Sequence, residues 1–308
     1  MTKSHWPIKT LLTVLAASMV AYGAVLQLWG GGAGAPLAVL WSGSAPLIGA
    51  LCFLNFVLRG LRWRLWMAHQ GRHFPLLVAL RLYLAGYMFT PTPGNIGEVL
   101  RGVMLARQPL TLAQSLSIFG AERLADFFCL LLLCLPALAW VARAMGIDLS
   151  LWAWVGIIAL GLVAVTAVWV LAAPARDFLL GRFAWLKDAW TCLAVRPLFW
   201  FALTFAAWAA QGLAVWLICR QLGLDLSPLA ASSVYAVAMV AGALSTLPAG
   251  LGSMEATQAG LLALHGASAS QAIAITALTR IFTLWLAVAT GMVALFYSVT
   301  VSKDVNFT

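Results

Sequence analysis

Two apolar stretches of this chain, 75–108 and 228–265, are each cut by a short polar, glycine-rich break. The first break reads Pro93-Gly94-Asn95-Ile96-Gly97-Glu98, and Arg123 follows Glu98 by 25 positions. The second reads Pro248-Ala249-Gly250-Leu251-Gly252-Ser253-Met254-Glu255, and Arg280 follows Glu255 by the same 25. Gln114 and Gln271 share the glutamates' offset of 157 residues, whereas the two prolines fall two residues short of it. Irregular backbone is tolerated at bilayer depth only where protein or water satisfies its polar groups. Two such breaks at corresponding positions, with ionisable residues nearby, are the sequence pattern of a transporter built from repeats.

That reading requires a membrane chain, and the composition supplies one. Hydrophobic residues make up 63% and charged residues only 9%, against about a quarter charged in soluble domains. Segments 11–29, 36–58, 111–140, 151–173, 197–219 and 270–298 each reach the length of about 20 residues that a spanning helix needs. The stretch 11–29, preceded by Lys3 and Lys9, is too long for a signal-peptide core and reads as a retained first span. The five cysteines contain no CxxC pair and read as structural thiols.

The net charge of +9 is a matter of topology and not of nucleic-acid binding. Arg59, Arg62, Arg64 and Arg72 fall in one expected loop, 59–74, and Arg176, Arg182, Lys187 and Arg196 in another, 174–196, which marks both as cytoplasmic. Trp63 and Trp66 among the first set suggest an interfacial helix against anionic head groups. With both termini cytoplasmic and both broken stretches re-entrant, each half has three crossings, so the halves have opposite orientation. The expected fold is therefore an all-α polytopic membrane protein, an inverted repeat of two halves. Each half contributes three transmembrane helices and one re-entrant hairpin: 1–146 with hairpin 75–108, and 147–308 with hairpin 228–265. Broken stretches that cross fully as short pairs would leave this parity unchanged.

Charged residues inside the apolar segments are costly unless paired or hydrated. They are Glu98, Arg101, Glu122, Arg123, Asp126, Glu255 and Arg280. Glu98 with Arg123, and Glu255 with Arg280, have the spacing of structural ion pairs that pin a hairpin to a span. Arg101 and Asp126 correspond by offset to the neutral Gln258 and Thr283, which points to a functional role. A helix starting after Pro-Gly aims free N–H groups and a positive dipole end into the break. Arg101, Arg123 and Arg280, with Gly94, Asn95, Gly97, Gly250 and Gly252, thus form a candidate anion site. Glu98, Glu122, Asp126 and Glu255 are candidate proton carriers or ion-pair partners. His69 and His73 sit four apart in an expected wet, basic loop, and neither a metal nor a cofactor is expected.

Three segments carry a family resemblance: Arg62-Trp63; Pro93 to Arg101 followed by Glu122-Arg123-Leu124-Ala125-Asp126; and Leu247 to Glu255 followed by Arg280. Together these resemble the flippase-like membrane region of lysylphosphatidylglycerol synthases, as found in multiple peptide resistance factors and stand-alone bacterial membrane proteins. The resemblance covers nearly the whole chain and implies movement of a polar-headed lipid between leaflets of the inner membrane. Full-length resistance factors add a soluble aminoacyl-transferase domain. This sequence stops at Thr308, so lysyl transfer is not expected of it. Gly94-Asn95 also stands where the family usually has a basic residue, which leaves the head group open.

The leading expectation is a lipid flippase for a phospholipid or polyprenyl-type substrate, with membrane lipids as its partners. No GxxxxGK[ST] loop is present, so ATP is not the expected drive. An intramembrane transferase using Glu98 or Asp126 as base is the alternative, but no nucleotide motif or DxD pair supports it. A scaffold subunit for a lipid-modifying enzyme is the third reading, and a homo-oligomer is compatible with all three.

Overall fold

The computed structural model describes residues 39–92, 95–105, 109–144, 146, 184–302 and 304–305. The expected spans 11–29 and 151–173, along with Pro93, Gly94 and Arg107, lie outside the described residues. The described part is helical, apart from an isolated antiparallel bridge between Leu105 and Val305.

Helix α1 (Ala45–His69) leads to α2 (Leu76–Ala85), which tightens into a 3₁₀ turn at Gly86–Phe89 before the first break. A second 3₁₀ turn, Ile96–Val99, runs into the short α3 (Leu100–Val103) and then into the long α4 (Leu112–Ala144). After α5 (Ala184–Ala194) the same plan recurs: α6 (Pro197–Gln221), α7 (Pro228–Leu244), the second break, α8 (Ser253–Leu264) and α9 (Ala269–Arg280). A π turn, Ile281–Trp285, joins α9 to α10 (Leu286–Thr300) in one continuous rod.

The helix starts repeat with a fixed offset on each side of the break. Ala45 and Pro197, like Leu76 and Pro228, are 152 residues apart; Ile96 and Ser253, like Leu112 and Ala269, are 157 apart. The second half is thus five residues longer up to the end of its break, three of them in α7 and two in the break itself. Packing repeats as well. Helix α1 packs on α2 as α6 packs on α7, α3 on α4 as α8 on α9, and α2 on α10 as α7 on α4.

Individual residues follow the same numbering. Gly60 lets α2 approach so closely that a Cβ would lie 2.8 Å from Leu80 Cδ2. Gly212, 152 residues on, would drive a Cβ into Ser232, the counterpart of Leu80. Overpacking of this kind costs about 1–3 kcal/mol. Gly212→Ala is expected to lower the melting temperature in detergent, and an unchanged melt would refute the close approach. Asn55 donates from Nδ2 to the carbonyl of Ala207, its own counterpart, at 2.9 Å. The seam between α1 and α6 therefore holds a contact between equivalent positions. Thr111 with Gln114, and Ser268 with Gln271, close matching N-terminal caps on α4 and α9.

Among the described residues, Ala45–His69, Pro197–Gln221 and Ala269–Thr300 are long and apolar enough to cross a membrane. The described part of α4 carries Glu122, Arg123 and Asp126 in its middle. Large apolar side chains stand exposed on several helices, including Leu77, Leu198, Val293 and Phe296, a surface suited to lipid. All five cysteines are buried free thiols.

One expectation is corrected. The segment 59–69 is no cytoplasmic loop, nor are its Arg59, Arg62, Trp63 and Trp66 an interfacial anchor. Helix α1 runs through it to His69, and all four residues are buried, Arg62 completely. Two of the arginines that argued for orientation belong to the interior. Arg64, by contrast, is at the surface, donating to the Phe74 carbonyl at 2.9 Å.

Candidate functional site

The buried arginines and the carboxylates of the first half form one network. Asp126 on α4 accepts from Arg59 at 2.6 Å, from Arg62 at 2.7 Å and from the Trp208 indole at 3.3 Å. Arg62 also donates to Thr204 Oγ1 at 2.9 Å and lies 4.0 Å from Glu122. Arg101 bridges Glu98 at 2.9 Å and Glu122 at 3.3 Å, with its guanidinium 4.2 Å from the centre of the Tyr83 ring. Arg123 lies 3.5 Å from Glu98 and 3.4 Å from Asp126. Thr90 completes Glu98 with a hydrogen bond of 3.1 Å. Arg123 differs from the other three arginines in exposure: its side chain is 30% exposed, while theirs are nearly or wholly buried.

Local geometry explains how Arg101 is held. Gly86, in the first 3₁₀ turn, lies flat against the Arg101 guanidinium, and any Cβ there would displace it. Asn95 takes a left-handed conformation, φ 57°, which asparagine tolerates better than most residues. That turn brings Glu98 back toward α4.

The second half repeats the frame with fewer charges. Glu255 accepts from Arg280 Nε at 2.6 Å and caps the Gly252 N–H at 2.7 Å. Arg280 further donates to the carbonyls of Ala249 and Gly250 at 3.1 and 3.3 Å. The helix start offered by sequence as an anion site is therefore filled by the chain's own carboxylate. Gly250, with φ 66°, lies so close to Gly242 that a Cβ would meet its backbone at 2.8 Å. Where Arg101 meets Glu122, the counterparts Gln258 and Thr279 share a neutral hydrogen bond of 3.1 Å. Arg59 donates to Tyr87 at 3.3 Å, whereas its counterpart Gln211 accepts from Tyr235, the counterpart of Tyr83, at 2.9 Å.

A cavity connects the halves. Its inner chamber, about 90 Å³, is lined by Arg59, Glu98, Arg123, Gln211, Tyr235 and Arg280 among others. Its outer part, about 360 Å³, is lined mostly by apolar side chains such as Leu124, Phe127, Met239 and Leu247. Asn95, Arg123, Trp208, Met239 and Ala249 border both parts. Several chamber residues come as counterparts: Phe56 with Trp208, Arg59 with Gln211, Arg123 with Arg280.

Of the residues singled out by sequence, Asn95, Glu98, Arg123 and Arg280 meet in the inner chamber, and Gly250 and Asp126 line the outer part. Arg101 and Glu122 lie behind them in the network, and Glu255 ties Arg280 to the second break. Gly97 packs its Cα beside Thr92 and the Phe89 carbonyl, supporting the first break from behind. Gly94 lies outside the described residues. Sequence reasoning missed Arg59 and Arg62. Their i,i+3 spacing, which puts them on one helix face, was the available signal.

The family described as "Lysylphosphatidylglycerol synthase TM region" matches residues 10–291. The chain belongs to this family. As a member of the lysylphosphatidylglycerol synthase transmembrane-region family it is a membrane protein, and its apolar helices agree with that. It is also similar to two proteins of Methanothermobacter thermautotrophicus, each described as "UPF0104 membrane protein". One is 32% identical over 93 residues, covering 30% of this chain and 28% of that protein. The other is 30% identical over 95 residues, covering 31% of this chain and 28% of that protein. The matched segments thus span less than a third of these relatives.

Proposed function

We propose that this chain is a lipid flippase, moving a phosphate-bearing lipid between leaflets without ATP. The observation that carries the proposal is the two-part cavity between the repeated halves. A charged inner chamber and an apolar outer part suit an amphiphile, with the head group against Arg123 and the tails toward the bilayer. The two breaks then act as re-entrant hairpins, and the repeat of helix starts at 152 and 157 residues supports two related halves. Counterpart residues facing one chamber are the arrangement that rocking of one half against the other requires. Glu98 and Asp126, each already held by two or more arginines, are better fitted to hold the site than to act as bases, which favours transport over an intramembrane transferase.

The test is leaflet exchange of head-labelled phospholipids in proteoliposomes. Exchange above empty vesicles, lost in Arg123→Gln, is the expected result. Exchange equal to that of empty vesicles across a panel of head groups would remove the flippase reading.

A further inference from the structure

The charge count of the site specifies the ligand further, on the reading that the cavity holds a lipid head group. Among the described residues, Arg59, Arg62, Arg101 and Arg123 are joined by ion pairs to Glu98, Glu122 and Asp126. Four cations face three anions. The pair of Arg280 with Glu255 is neutral in itself. The network therefore carries one uncompensated positive charge at a site where desolvation makes charge costly. The excess is best assigned to Arg123, which alone is substantially exposed and borders both parts of the cavity.

We infer that the chamber selects a head group with a single net negative charge, a phosphodiester monoanion without an amine. The carboxylates explain the second half of that statement. Glu98 already accepts from Thr90 and Arg101 and faces Arg123; Asp126 accepts from Arg59, Arg62 and Trp208. Among the described residues no carboxylate in the chamber is left to receive an ammonium, so a zwitterionic head group would bury its cation unpaired. A diphosphate brings more negative charge than the one excess cation balances. Gln211 and Thr283, the neutral counterparts of Arg59 and Asp126, add hydrogen-bonding groups to the chamber and no charge.

The experiment measures retained lipid and leaves transport aside. The full chain is placed in phosphatidylcholine nanodiscs doped with phosphatidylglycerol, phosphatidylethanolamine or a prenyl diphosphate, and bound lipid is counted by native mass spectrometry. Phosphatidylglycerol is expected to exceed the other two by about tenfold. Arg123→Gln brings the network to neutrality and should abolish that preference, while Arg123→Lys keeps the charge and should keep it. Glu98→Gln raises the excess to two and should shift preference toward the diphosphate. A purely structural role for these residues would not move selectivity in opposite directions. Equal retention of all three probes by the unmodified chain would overturn the inference even if leaflet exchange is active. Selective retention without leaflet exchange would support it while the flippase reading fails. If Glu98→Gln does not fold, the Arg123 pair decides alone.

Discussion

Asp126→Asn will lower the melting temperature more than any other conservative single substitution in this chain. Its carboxylate is held by Arg59 at 2.6 Å and Arg62 at 2.7 Å, with Arg123 at 3.4 Å, all within the packed seam of α1, α4 and α6. An amide keeps the shape and one acceptor but strips the buried Arg59 of its ion-pair partner and leaves the buried Arg62 only Glu122, at 4.0 Å. Removing one partner of a buried pair costs about 3–5 kcal/mol, and here one carboxylate serves more than one arginine. Thermal melting in detergent, followed by size exclusion, measures it. The second half supplies the contrast: Thr283 stands at the equivalent position, and Gln211, which lines the same chamber, stands where the first half has Arg59. Thr283→Asn should therefore be mild. A melt of Asp126→Asn matching that of Thr283→Asn would show that the network contributes nothing to stability.

The second large effect is a reversal. Arg101→Gln and Glu122→Thr should each destabilise by about 3–5 kcal/mol, because each strands a buried charge. The double substitution should melt well above either single one. Its product is already realised in this protein as Gln258 and Thr279, both fully buried and joined at 3.1 Å. Glu98 would keep Arg123, and Arg62 would keep Asp126, so no other charge is orphaned. A double-mutant cycle reads the coupling directly. Additive losses, with the double variant melting lowest of all, would mean that the first half cannot adopt the neutral solution of the second.

The parts of this architecture that sequence exposed share one physical cause: a strict spacing between groups that must touch. Glu98 and Arg123 repeat as Glu255 and Arg280 because each pair ties a break to the helix behind it. Gln114 and Gln271 repeat because each caps a helix start. Upstream of the breaks the correspondence was hidden. The offset there is 152, so Gly60 with Gly212, Tyr83 with Tyr235 and Asn55 with Ala207 do not align at 157.

Arg59 and Arg62 were hidden for another reason. An arginine cluster at the end of an apolar run is the ordinary mark of a cytoplasmic loop, and only the partner Asp126, more than sixty residues away, makes them interior. The cavity was not legible at all, since its walls come from helices far apart in the chain. Its lining by Arg123 and Arg280 follows from the repeat, but its apolar outer part follows from packing alone.

The π turn at Ile281–Trp285 has a consequence for the register between the two halves. Its counterpart in the first half, 124–128, is ordinary α-helix within Leu112–Ala144. A π turn accommodates one extra residue, and one residue turns a helix face by about 100°. Beyond Trp285, the residue occupying an equivalent direction is therefore expected one place further along than the numbering of Glu98 and Glu255 implies. Beyond the π turn the two halves therefore no longer share a single register. A chain assembled from two copies of the first half would arrive at α10 with the wrong side chains facing α2, and removing the extra residue from the second half would misplace Gly291, whose bare Cα lets the Met88 backbone come close.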